Sequence, residues 1–103
     1  MQMRHGDVWI EACDVIPEGA IKVMPEARGY VLAEGEVTGH AHTIEATPDV
    51  EMFEKDGTLY LRVSGDGVGL RHQEHAERVI PRGVHRVTPQ YGYNAGMVQR
   101  TTD

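Results

Sequence analysis

The sequence predicts an all-β fold, a small single-domain β-barrel or compact sandwich with an irregular C-terminal arm over residues 90–103. Three observations carry this reading. Apolar and polar residues alternate over short stretches, and glycine and proline interrupt the chain at short intervals. No stretch carries the apolar stripe of an amphipathic helix. At 103 residues the chain has the size of one hydrophobic core, so residues 1–103 are read as a single domain.

Taken in order, residues 7–13 alternate, with Val8, Ile10 and Ala12 on one face and Asp7, Trp9 and Glu11 on the other. Pro17, Glu18 and Gly19 form a turn, and residues 20–24 and 30–33 read as short strands around Pro25 and Gly29. Residues 50–55 and 58–64 flank Asp56-Gly57, a pair that tolerates the positive φ values of a type I′ hairpin turn. In the second arm Leu59, Leu61 and Val63 face one way while Thr58, Tyr60 and Arg62 face the other. Residues 77–80 and 84–88 flank Pro81-Arg82-Gly83 and read as a second hairpin. The run Gly65-Asp66-Gly67-Val68-Gly69 lacks the lysine and hydroxyl residue of a phosphate-binding loop, so a bulged turn is the simpler account. Beyond Gln90 there is little periodicity, and Tyr91, Tyr93 and Met97 are the residues through which the arm would pack.

Composition narrows the function classes. A formal charge of −6 argues against broad binding to nucleic-acid backbones, which needs a basic stripe to release counterions. Arg71, Arg78, Arg82 and Arg86 lie close together, but a solvated strand face explains them more simply. No apolar run is long enough to span a membrane, and no apolar segment follows Arg4 as in a secretory signal. A lone Cys13 cannot form an internal disulfide, which points to a reducing, cytoplasmic setting where it packs as a small hydrophobe. Glu34, Glu36, Glu45, Glu51 and Glu54 are expected to face solvent. A homo-oligomer stays open.

The six histidines are the strongest functional signal, because four fall into two tight pairs. His40 and His42 are two apart, so on a strand both rings project to one face, in line with Ile44 and therefore inward. Gly39 removes a side chain beside them. His72 and His75 are three apart, a spacing that brings rings together across one helical turn or a tight loop. Two such pairs supply four nitrogens, or three with a carboxylate from Glu45 or Glu74. Imidazole suits zinc, nickel, iron or copper, with zinc the default for a tetrahedral set. His5 and His85 read as ordinary surface histidines, although His85 follows a turn that would let it point into the same cavity.

Gly35 to Glu45, with His40 and His42, is similar to the first metal motif of the cupins, and Pro81-Arg82-Gly83-Val84-His85 resembles their second. That resemblance covers about twenty residues and implies a small β-barrel holding a metal through His40, His42, Glu45 and His85. The spacing from His42 to Glu45 is short for the pattern, His85 comes early, and the His72–His75 pair lies outside it. The set His40, His42, His72 and His75 is therefore favoured. The whole chain also resembles small uncharacterised bacterial and phage proteins with a glycine-aspartate start and a Gly-His-Ala-His segment, a likeness that assigns no function.

Three functions fit these residues. The first is a metal-dependent hydrolase or other metal-binding protein. An open coordination position would activate water, with Glu74 as general base and Arg71 stabilising negative charge on a small-molecule or phosphate-containing substrate. The second is a metal-free nuclease or phosphodiesterase, with two histidines as acid and base and Arg71 holding the phosphate. The third is an interaction or assembly module.

Overall fold

Short alternating segments become strands wherever one face has something to bury. The computed structural model describes residues 1–6, 8–35, 40–89, 91–94 and 97–100. Its strands are β1 (Gln2–His5), β2 (Val8–Ala12), β3 (Ile21–Val23), β4 (Tyr30–Glu34), β5 (Ala41–Ile44), β6 (Val50–Lys55), β7 (Thr58–Val63), β8 (Val68–His72), β9 (His75–Ile80), β10 (Gly83–Pro89), β11 (Tyr91–Asn94) and β12 (Met97–Arg100). One sheet has six strands in the order β1-β2-β10-β7-β6-β3, and a second has four in the order β4-β5-β8-β9. All paired neighbours run antiparallel.

Both sheets end in edge strands, so neither closes into a barrel, and the architecture is a sandwich. Val8, Ile10, Val50, Met52, Leu61, Val63 and Val87 of the larger sheet meet Tyr30, Leu32, Ile44, Val68, Leu70 and Ile80 of the smaller in one core. Leu61, Ile44, Leu70 and Ile80 are fully buried, and burying a side chain of this size stabilises by about 1.5–3 kcal/mol. Among the described residues no helix is long and apolar enough to cross a membrane.

The Asp56-Gly57 turn forms as the sequence indicates. Asp56 has φ of 51° and Gly57 of 81°, the pair of positive angles a type I′ turn needs. Gly29 is required for another reason. A Cβ there would lie 2.3 Å from the Ile44 carbonyl oxygen, so only glycine lets the approach to β4 run against β5.

The segments around Pro81-Arg82-Gly83 do not form a hairpin. β9 pairs with β8 in the smaller sheet, whereas β10 pairs with β2 and β7 in the larger, so the turn carries the chain from one sheet to the other. Alternation identifies a strand but not its partner. Here β10 buries His85 and Val87 while β9 buries only Ile80, and the two faces lead to different sheets. The tail, expected to be irregular, contains an antiparallel hairpin of β11 and β12. The second arm, Met97-Val98-Gln99-Arg100, does not alternate apolar with polar residues, so no two-residue period marks it in the sequence. The side-chain packing expected of Tyr91, Tyr93 and Met97 lies outside the described residues, as does residue 7 of the first predicted strand.

Candidate histidine centre

The H-x-x-H segment is a tight hairpin rather than a helical turn. His72 ends β8 and His75 begins β9. They stand directly opposite each other across a loop of Gln73 and Glu74. A register shift between Leu70 and His72 re-aims the end of β8. The Gln73 side chain fastens this loop to the start of β5, its Oε1 accepting from the Ala41 N–H at 3.0 Å. β5 carries His42 inward beside Ile44, both fully buried, while His40 precedes the strand and is partly exposed. Gly39 lies outside the described residues.

These constraints bring the rings together. The centroids of His42 and His72 are 4.4 Å apart, those of His72 and His75 4.7 Å, and those of His42 and His75 5.9 Å. His40 flanks the group, 5.7 Å from His72. A fifth ring belongs to it as well. His5 on β1, read from the sequence as a surface residue, is 3 % exposed. It stands 5.1 Å from His42 and 5.4 Å from His75. The signal for it was the alternation Gln2-Met3-Arg4-His5, which puts His5 on the buried face with Met3.

Hydrogen bonds fix where several protons sit. His5 Nε2 is 2.9 Å from the Ala76 carbonyl oxygen, which can only accept, so this nitrogen carries the hydrogen. In the neutral ring His5 Nδ1 then bears a lone pair. It faces His42 Nδ1 at 2.9 Å, and His42 must donate. Burial lowers the His5 pKa below its ordinary value, the Ala76 hydrogen bond works against this, and charge on His75, His72 and Arg78 adds to the lowering. The neutral ring is therefore the favoured form. His40 Nδ1 lies 3.2 Å from the Glu74 carboxylate and donates to it. His72 Nδ1 accepts from the Glu74 backbone N–H at 3.0 Å, so neutral His72 carries its proton on Nε2.

The other candidate residues are placed differently. Arg71 is exposed on β8 while His72, next to it, is buried. A trough of about 330 Å³ lined by Arg28, Ala41, Thr43, Arg71, His72 and Gln73 reaches the cluster only at His72. Glu74 holds His40 through its carboxylate. Glu45 is exposed beyond the end of β5. His85 is 2 % exposed on β10 of the larger sheet. Its Nε2 donates to the Pro81 carbonyl at 2.7 Å, which pins the crossing turn, and none of the histidine ring contacts includes it. The four residues implied by the cupin resemblance are thus not brought together. Within the arginine group Arg86 is paired with Glu11. Among the described residues no set of three or more histidine, cysteine, aspartate or glutamate side chains stands as it is in a metal-holding arrangement.

A family model described as Domain of unknown function (DUF8820) matches residues 4–90, and the chain belongs to that family. The matched span includes all six histidines. No curated protein and no solved structure matches the chain.

Proposed function

We propose that this family member binds a divalent transition metal, zinc by default, through a centre whose core is His42, His72 and His75 with His40 as the fourth imidazole. One observation carries the reading: imidazoles from β5 and from the β8–β9 hairpin lie 4.4–5.9 Å apart by centroid. With metal–nitrogen distances of about 2.0–2.1 Å and tetrahedral angles, coordinated imidazole centroids sit about 5 Å apart. The spacings among His42, His72 and His75 bracket that distance, so a metal would be reached by turning the rings with small adjustments of their separation.

His72 has to give up its Nε2 proton to bind through that atom, which moves the ring proton to Nδ1 and breaks the bond from the Glu74 amide. A lost hydrogen bond costs about 0.5–1.5 kcal/mol, whereas zinc captured by a structural site releases about 10–16 kcal/mol. The metal term is much the larger. Burial of His42 and His72 favours a closed centre that supports the fold, and the engagement of Glu74 with His40 weighs against its acting as a general base. The metal-free acid–base reading has less support, because Arg71 is exposed and meets the cluster through a trough that only His72 of the five clustered rings lines.

Metal content of protein purified without chelator, followed by zinc titration, tests the proposal. One equivalent bound by the parent, and none by His42→Ala, is the expected result. A parent that holds no metal and gains no thermal stability from zinc, nickel or iron would end it.

A further inference from the structure

We propose that His5 and Glu74 are positioning residues that set the tautomers of His42 and His40, so that both rings present Nε2 to the centre. The inference rests on the metal reading for its consequence, but its chemical content is a property of the protein alone. Each ligand histidine of a metal site needs a nitrogen lone pair toward the metal, and a partner on the other nitrogen fixes which one carries it. Two such partners are in place. A relay runs from His42 Nδ1–H to His5 Nδ1 and from His5 Nε2–H to the Ala76 carbonyl, each step 2.9 Å. With His5 neutral, the carbonyl at its end admits only one direction of donation, so the His42 lone pair is on Nε2. On the other side the Glu74 carboxylate accepts from His40 Nδ1–H at 3.2 Å, which leaves the His40 lone pair on Nε2 as well.

The relay also joins the halves of the sandwich. His5 belongs to an edge strand of the six-stranded sheet, while His42 and Ala76 belong to the four-stranded one. The ring of His5 thus bridges β5 and β9 from a third strand. That arrangement explains why a histidine, a poor core residue by hydropathy, stands at a position only 3 % exposed.

The experiment uses the full chain labelled with nitrogen-15, first free of metal and then with zinc. In the metal-free spectrum, long-range nitrogen–proton correlations should show His42 and His40 protonated at Nδ1 and His5 protonated at Nε2. His5→Ala and Glu74→Ala should each weaken zinc binding about 10- to 100-fold, measured by chelator competition, with one equivalent still bound at saturation. His5→Asn places an amide oxygen near the position of Nδ1 and should recover most of the affinity, as should Glu74→Gln. These conservative variants also serve if an alanine variant fails to fold. A His42 protonated at Nε2 in the metal-free protein overturns the proposal. So does a His5→Asn variant that binds no better than His5→Ala and alters the visible spectrum of bound cobalt, because His5 would then be a ligand itself. A parent that takes up no zinc refutes the metal centre, while the metal-free spectrum still decides the tautomers.

Discussion

Two tight hairpins of this protein have the same loop length and different purposes. β6 and β7 turn at Asp56-Gly57 and carry Val50, Met52, Leu61 and Val63 into the core. β8 and β9 turn at Gln73-Glu74, and the residues flanking the loop are His72 and His75. In the first hairpin the turn residues supply backbone angles and the arms supply burial. In the second the loop takes part in hydrogen bonds: the Glu74 amide donates to His72, the Glu74 carboxylate accepts from His40 and the Gln73 side-chain oxygen accepts from the Ala41 N–H. A hairpin of the same loop length is thus held by backbone angles in one place and by side-chain and amide hydrogen bonds in the other.

The largest expected effect separates the two hairpins by stability. Leu61→Ala should cost about 2–5 kcal/mol in chemical denaturation, because a fully buried leucine leaves a cavity, yet on the proposed metal reading the folded variant should bind zinc as the parent does. Loss of metal content along with stability would mean that the core and the centre are one unit. The converse substitution is His72→Ala. The parent should gain about 3–4 kcal/mol from zinc at a hundred to a thousand times Kd, and this variant should gain almost nothing in the same thermal titration. An equal gain in both proteins would remove His72 from the ligand set.

Gly57→Val tests the backbone role of the first turn. Nothing lies within 4 Å of a Cβ at that position, so the cost is conformational and should be about 1–3 kcal/mol. An unchanged melting temperature would show that the turn relaxes to another type. The smallest effect concerns pH. The His5 pKa is held below 6.5, mainly by burial. The unfolded chain therefore takes up a proton first as the pH falls, and stability present above about pH 6.5 is lost progressively below it. Metal-free parent should melt at lower temperature as the pH drops through this range, with a shallower slope for His5→Asn. Equal slopes would place the acid sensitivity elsewhere in the cluster.

The sequence by itself determined that the chain is all-β, that Asp56-Gly57 turns a hairpin and that its histidines include the pairs His40–His42 and His72–His75. Each of these is local. A two-residue period sets which face a side chain takes, Asp-Gly tolerates positive φ, and H-x-x-H brings its two rings together within one segment. Only the tertiary structure decided that Pro81-Arg82-Gly83 crosses between sheets, that His85 is spent on the Pro81 carbonyl and that His5 joins the cluster. The crossing between sheets and the arrival of His5 share one physical reason. Strand pairing is a contact between segments far apart in the chain, and a period of two looks the same whichever neighbour it meets. His5 and His42 are 37 residues apart and come within 2.9 Å because β1 folds onto β2 while β5 packs in the opposite sheet.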